Sequence, residues 1–422
     1  MIDRLRPRSR YASNVITLMM GTGVAQLIPI AVSPILSRLY SPAEFGSLAL
    51  FVSLSCIAAV LVTGRYEFAI LLPKRDRDAI HVFGLASLLS VVISGLLLVL
   101  IAIFHSLIAD LLGTAERADL LYWIPASTLL IGLSQSLYYW FNRKSRYGHI
   151  SLSRALQGGS ASVVQVVAGF LGVGGIGLLG GQVVGQALAS AMLAGGMWSE
   201  ERLRIRSINA KRMAIFAKKY SRFPKFLIIA HVFNTSAAQV PSIFLNGLFS
   251  AATAGAFFLT QRVLGAPMSL VASAMGDVFR QEASHAYIHQ GNCKGIYLKT
   301  FKRLVQISII PFLILFFIAP AFFSWVFGEQ WRDAGAYAQI LVPMLFLQFV
   351  TSPLSSMFII AQKQKHDLIW QIFLLALSSL AFWIGHLYSS IDVALISYSF
   401  AYSIMYAING LMTYQFAKNG AK

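Results

Sequence analysis

A chain of 422 residues with 57% hydrophobic and 12% charged side chains, and a mean hydropathy of +0.68, is too apolar for a soluble globule. Its formal charge of +18 would point to nucleic acid in a soluble chain. Here apolar blocks long enough to cross a bilayer turn that charge into a question of sidedness, and no nucleic-acid partner is expected.

The N-terminal stretch 1–11 carries Arg4, Arg6, Arg8 and Arg10 ahead of an apolar run too long for a signal-peptide core, so an uncleaved first span with a cytoplasmic tail is expected. A helix needs about 20 residues to cross roughly 30 Å of hydrocarbon. Twelve segments meet that length: 13–38, 45–72, 79–104, 119–141, 149–171, 176–197, 224–248, 253–278, 303–323, 335–361, 367–387 and 393–416. With both termini inside, 29 of the 34 basic residues fall in cytoplasmic pieces, among them Arg154 at the end of the stretch 142–154. Arg38, Arg117 and Arg332 face the periplasm, and the positive-inside rule excludes the inverted map. Only Arg65 and Arg262 are assigned to the spans themselves.

Outer connections such as 172–175, 250–252 and 388–392 leave no room for an extracytoplasmic domain. The longest connection, 199–225, mixes Met213, Ile215, Phe216, Tyr220 and Phe223 with Lys211, Arg212, Lys218, Lys219 and Arg222, which reads as an interfacial amphipathic helix, with a solvated basic linker as the alternative. The fold expected is therefore all-α and integral to the membrane. Twelve transmembrane helices form two pseudo-symmetric six-helix bundles, at 1–198 and 224–422, joined by a linker at 199–223.

Internal similarity supports the two-bundle reading. A shift of 209 places Ala43, Gly46 and Leu50 on Ala252, Gly255 and Leu259, and a shift of 218 places Pro125, Leu129 and Ser134 on Pro343, Leu347 and Ser352. Six spans precede the copy, so both halves share an orientation, as in transporters with parallel repeats and a substrate path between lobes.

A charge at the bilayer centre costs about 2.5–3.5 kcal/mol on insertion scales, so the span charges are the candidates for function. Arg262, ten residues into its span, lies about 15 Å deep, and either faces a wet cavity or pairs with an acid from another span. Arg65 lies near the inner boundary, where snorkelling and a cavity role are both open. On an α-helix positions i and i+2 point to nearly opposite sides, so Arg65 and Glu67 are not expected to pair. Glu67 and Asp277 are open to three readings: partners of the arginines, proton or sodium sites, or interfacial caps.

Polar residues at His231, Asn234, Thr235, Ser236 and Gln239, and at Thr22, Gln26 and Ser33 in the first span, serve either interhelical hydrogen bonding or a ligand. Pro29, Pro34 and Pro241 suggest bends in the first helix of each repeat. The glycines of Gly21-Thr22-Gly23 and at 180, 181 and 185 read as close helix packing. The two cysteines, Cys56 in an apolar run and Cys293 in a basic loop, offer neither a disulfide framework nor a metal site. No nucleophile elbow, phosphate-binding loop or paired-carboxylate motif occurs, so neither an enzyme nor a cofactor is expected.

Three segments carry a family resemblance: Pro34-Ile35-Leu36-Ser37-Arg38-Leu39-Tyr40-Ser41-Pro42-Ala43-Glu44-Phe45-Gly46, then Gly64-Arg65-Tyr66-Glu67 through Leu72-Pro73-Lys74, and Gln261-Arg262-Val263-Leu264-Gly265-Ala266-Pro267. They resemble the O-antigen flippases (Wzx-type) of the multidrug/oligosaccharidyl-lipid/polysaccharide exporter superfamily. The resemblance implies a bacterial inner-membrane protein that moves undecaprenyl-pyrophosphate-linked oligosaccharide to the periplasmic leaflet by alternating access; with no ATP-binding motif in the sequence, direction is expected to come from an ion gradient or from removal of the product outside. It implies membrane lipids, a polysaccharide polymerase and chain-length proteins as partners. Cavity cations of the family match Arg65 and Arg262 here. Two other readings are a drug/cation antiporter of the same superfamily, which would want acids deep in the membrane, and a membrane polymerase, which would want a large periplasmic loop.

Overall fold

The structure is a computed structural model that describes the backbone of residues 10–112 and 115–419, and their side chains except at 10–20, 22, 24, 115–118, 226 and 230. Arg4, Arg6 and Arg8 of the N-terminal tail, and the side chains of Arg10, Thr22 and Arg117, lie outside that description. Every regular element among the described residues is helical. The helices are α1 (Arg10–Leu39), α2 (Pro42–Val62), α3 (Asp76–Leu111), α4 (Trp123–Arg143), α5 (Tyr147–Phe170), α6 (Gly175–Ile205) and α7 (Ala210–Lys219). They continue with α8 (Ile228–Leu248), α9 (Ala251–Gln290), α10 (Lys294–Phe327), α11 (Arg332–Thr351), α12 (Met357–Ile360), α13 (Gln364–Leu387) and α14 (Ile391–Asn419).

Among the described residues eight helices are long and apolar enough to cross a membrane, which makes this a multi-pass membrane protein. The long helices α1, α5, α8 and α9 are not among the eight, and they carry the polar residues singled out above: Gln26, Arg154, Asn234 and Gln239, and Arg262. Several helices overrun the apolar segment that predicts them. α9, expected to stop at 278, reaches Gln290, so its 40 residues extend for about 60 Å. Hydropathy marks only the part in hydrocarbon, while the backbone continues to hydrogen-bond within the same helix through the headgroups and into water.

The chain divides into two compact units, one of Met1–Tyr40 and Ser47–Thr235, the other of Ser41–Gly46 and Ser236–Lys422. In the first, Trp140, Phe141, Ile80, Leu193 and Met197 build a core at one end, closed by Met213 of α7 with Phe216 and Tyr220 packed beside it. In the second, Phe45 stands edge-on to Trp331 with ring centroids 4.8 Å apart, and Phe323 and Phe382 are fully buried.

The repeat can be read in the helix boundaries. α1 and α8 end 209 residues apart, at Leu39 and Leu248, and α2 and α9 start 209 residues apart, at Pro42 and Ala251. Both starts are capped by a serine at that spacing. Ser41 shares a reciprocal capping pair with Glu44, whose carboxylate accepts from the Ser41 N–H at 2.8 Å, while Ser250 Oγ accepts from the Thr253 N–H at 3.1 Å. The two first turns touch reciprocally within the second unit. A Cβ on Gly46 would lie 1.8 Å from the Ala251 carbonyl oxygen, and one on Gly255 would lie 1.8 Å from that of Pro42, so glycine is obligatory at both positions. Further along, α5 and α13 are both 24 residues long and start 217 residues apart. The spacing changes because α9 runs unbroken where the first copy stops at Val62.

Close packing explains the other glycines. A Cβ on Gly181 or Gly185 of α6 would meet Gln165 or the Gln157 carbonyl of α5 at 2.5 and 2.6 Å. Cys293 differs from expectation. It precedes α10 but is only 2% exposed, its Sγ lies 3.5 Å from Met357 Sδ, and burial pushes the thiol up to about 11. A sidedness test should therefore use Asn292→Cys in a cysteine-free background, since Asn292 is exposed. It is expected to react with an impermeant maleimide only after the membrane is opened, whereas Ser250→Cys reacts in intact spheroplasts. The reverse order would invert the map.

Candidate functional site

The site begins where α2 ends. After Val62 the chain enters left-handed backbone at Gly64, with φ 60°, and again at Arg65, with φ 59° and ψ 15°. Glycine takes that geometry freely, but a residue with a Cβ does so at a cost of about 1–2 kcal/mol. The pair of left-handed residues stops the α-helix, and Tyr66–Leu71 follows as a 3-10 helix.

This break overturns the expectation that Arg65 and Glu67 cannot pair. That expectation assumed α-helical spacing, and the turn instead brings Arg65 Nη1 to 3.3 Å from Glu67 Oε1. The other carboxylate oxygen, Oε2, accepts from the Thr63 hydroxyl, which itself accepts from the Arg65 N–H at 3.3 Å. Both side chains are buried, Arg65 8% and Glu67 1% exposed. The guanidinium lies 5.7 Å from the centroid of the Phe68 ring, and Phe68 packs on Tyr139 and on His231 of α8. Arg65 Nε finds no hydrogen-bond partner among the described residues.

The turn is held from α4. Arg143 Nη1 donates to the Ile70 and Leu71 carbonyls at 3.2 and 3.3 Å, and Arg143 Nε donates to Asp76 Oδ1 at 2.9 Å. Lys144 bridges Asp76 and Glu201 of α6. Its own burial pulls the ammonium down, but the hydrogen bonds to those two carboxylates outweigh burial and raise it above the usual lysine range.

Beside the pair, the first unit contains a cavity of about 420 Å³ among α4, α5, α6 and the turn. Arg65, Glu67, Gln135, Arg154, Gln157 and Gln186 reach it. Two guanidinium groups and one carboxylate leave it with a net positive charge. Gln135 Oε1 is buried without a hydrogen-bond partner among the described residues, an acceptor open to a hydroxyl donor. Gln186 Oε1 is held by the Ser127 hydroxyl at 2.9 Å, and the Arg154 guanidinium lies 5.1 Å from the centroid of the Tyr138 ring. Guanidinium forks match the oxygens of phosphate or carboxylate. The volume suits one polar headgroup or sugar ring at a time.

Arg154 corrects the charge map. Counted with the cytoplasmic stretch, it sits seven residues into α5, about 10 Å along the helix, and lines the cavity. Arg154, Gln157 and Gln165 share one face of α5 at helical spacing, a polar signal that was present in the sequence.

The remaining candidates lie elsewhere. Gln26 is partly buried on α1 and is not among the residues lining this cavity, and Asn234 is exposed on α8. Gln239, Arg262 and Asp277 belong to the second unit. Arg262 is partly buried, whereas Asp277 is exposed and lies 3.8 Å from Arg280. Arg262 and Asp277 are fifteen residues apart on one continuous helix, about 22 Å along its axis, so they are not partners. Glu67, the other acid considered for Arg262, is engaged by Arg65 and Thr63.

A family model described as polysaccharide biosynthesis protein matches residues 35–336. The succinoglycan biosynthesis transport protein ExoT of Rhizobium meliloti (strain 1021) is 24% identical over 320 residues, which is 74% of this chain and 61% of that protein. The chain thus spans less than two thirds of the curated relative it matches. Among solved structures, an inward-facing multidrug resistance MATE family transporter of the MOP superfamily aligns with a TM-score of 0.74 at 16% identity, over 92% of this chain and 93% of the other. The lipid II flippase MurJ, in an inward closed conformation, aligns with a TM-score of 0.72 at 14% identity, over 95% and 87%. At these identities the likeness is one of fold.

Proposed function

The chain belongs to the polysaccharide biosynthesis protein family, and on that footing we propose that it is a flippase for undecaprenyl-pyrophosphate-linked oligosaccharide. It moves this cargo from the cytoplasmic to the periplasmic leaflet of a bacterial inner membrane by alternating access, coupled to an ion gradient, and performs no chemical step. The observation that carries this reading is the cavity of the first unit, where Arg65 and Arg154 face a space within a bundle of apolar helices with Glu67 as the one acid. An anion crossing hydrocarbon needs fixed cations on its way, and a pyrophosphate offers the oxygens those guanidinium groups match. Arg262 is proposed as a second cargo-binding cation, Gln26, Asn234 and Gln239 as polar lining, and Glu67 and Asp277 as ion-coupling groups. The fold that goes with this proposal has twelve spans with both termini inside, divided at 1–198, 199–223 and 224–422. A polymerase and chain-length proteins would take over the product.

Support comes from the relative named for succinoglycan transport and from the fold shared with a lipid II flippase. A drug/cation antiporter would want a site with excess acid, whereas this cavity has excess base. The test is reconstitution into liposomes with a fluorescent lipid-linked oligosaccharide, followed for both translocation and polymer growth. Translocation without polymer growth is expected. Polymer growth, or export of cationic dyes with no movement of the lipid, would overturn the reading.

A further inference from the structure

At the charged end of the first unit, where α3 begins and α6 gives way to α7, lies a second cavity of about 660 Å³ that plays no part in the cargo path described above. Arg77, Arg202, Arg204 and Arg212 reach it from three helices, together with Glu200 and Glu201. The acids are largely committed. Glu201 is clamped by Lys144 and Arg204, and Glu200 lies 3.7 Å from Arg146. Arg202 extends along the exposed Trp198, with its guanidinium 5.8 Å from the ring centroid. Arg77 and Arg212 form no ion pair among the described residues and are exposed at the rim.

His81 is the second observation. It lines the same cavity, is 1% exposed, and packs its ring against Phe216 of α7 at a centroid distance of 6.2 Å. Its Nδ1 lies 2.7 Å from the Arg77 carbonyl oxygen. A carbonyl can only accept, so Nδ1 carries a proton and Nε2 is the ring atom left to exchange one with a ligand. That Nε2 is buried with no hydrogen-bond partner among the described residues. A buried polar atom without a partner, in a cavity that four arginines also line, calls for a ligand with both negative charge and a transferable proton.

We propose that this cavity binds a phosphate group, with Arg77 and Arg212 donating to its oxygens and His81 Nε2 sharing a proton with it. Nε2 accepts from a protonated phosphate oxygen, or donates as imidazolium to an anion that carries no proton. The charged groups around His81 are Arg77 on its own helix, Glu200, Glu201, Arg202 and Arg204 on α6, and Arg212 on α7, an environment of net positive charge that attracts an anion. The same chemistry is offered by free phosphate in water and by the headgroup of an anionic lipid. Trp198, exposed beside the cavity, is a residue type enriched at headgroup level.

The test uses the full-length protein in neutral detergent, with unfolding temperature read against inorganic phosphate, sulfate and water-soluble dihexanoyl phosphatidylglycerol at ionic strength matched with sodium chloride. A saturable rise is expected with phosphate or the short-chain lipid. A response to the lipid but not to free phosphate assigns a headgroup site, and a response to free phosphate alone assigns a soluble anion. Arg212→Gln should weaken the apparent affinity about tenfold, the usual order for one charge-assisted contact. Sulfate carries no proton near neutrality, so sulfate binding that strengthens as pH falls in the wild type, and loses that dependence in His81→Gln, reports the imidazole itself. If His81→Gln fails to fold, Arg77→Gln/Arg212→Gln still decides, because both side chains are exposed at the rim. No saturable rise with any probe, or an equal rise in that double variant, overturns the proposal.

Discussion

Arg65→Gly is expected to abolish translocation of the lipid-linked oligosaccharide and to lower the stability of the inserted protein. The two losses have separate causes, and a second substitution pulls them apart. Glycine suits the left-handed backbone at this position, so the turn itself is relieved of about 1 kcal/mol rather than broken. What remains is Glu67, buried and held only by the Thr63 hydroxyl. Removing one partner of a buried ion pair typically costs about 3–5 kcal/mol, since the other charge is left uncompensated. Arg65→Gly/Glu67→Gln removes both charges and should recover most of the unfolding temperature. It should not recover translocation, because the cavity has lost the guanidinium that faces the cargo. Glu67→Gln alone keeps that guanidinium, and is expected to bind cargo while losing its dependence on the ion gradient. Normal translocation by the double variant would reduce the pair to a structural clamp and remove Arg65 from the mechanism.

The ion pair also shows where reading the sequence stops. The apolar blocks located the long helices, because burial in hydrocarbon forces each stretch to satisfy its own backbone. Ala43, Gly46 and Leu50 carried the repeat onto Ala252, Gly255 and Leu259, and the two glycines stand where the first turns cross closely, a local requirement. What failed was every inference that extended helix geometry past its evidence. Residues 45–72 read as one helix by hydropathy, yet Thr63-Gly64-Arg65 breaks it and reverses the conclusion about Arg65 and Glu67. Gly64 was the available signal, and it was outweighed by the apolar residues on either side. Arg154 was assigned by its nearness to a loop rather than by the polar residues that share its face of α5. Cys293 looked accessible because its neighbours are basic, but its burial against Met357 depends on a residue 64 positions away. Gln135 and Gln186 reach the cavity from α4 and α6, and no local pattern connects them with Arg65.

Arg262→Ala is expected to lower cargo affinity by roughly 10- to 100-fold with the protein still inserted, the loss of about 1.5–3 kcal/mol that a hydrogen bond to a charged group contributes. The case rests on how α9 changes along its length. From Thr253 to Thr260 almost every residue is buried, and Thr260 donates to the Ala334 carbonyl at 2.7 Å, so this part of the helix is packed. From Gln261 to Met275 no residue is buried. Arg262 stands at that transition, eleven residues from the helix start and about 16 Å along it, near the middle of a bilayer. Five residues on, Pro267 has no N–H to offer the Val263 carbonyl, which leaves another polar group on the same stretch. A guanidinium on a partly exposed segment at that depth is costly against lipid tails and favourable against water or a polar cargo. Arg262→Lys keeps the charge but loses the planar fork, so it should fall between wild type and alanine. A purely structural arginine would give a different pattern, with Arg262→Ala poorly inserted and Arg262→Lys equally impaired. Wild-type affinity and translocation in Arg262→Ala would remove this residue from the cargo path and leave the cavity of Arg65 and Arg154 to carry the function alone.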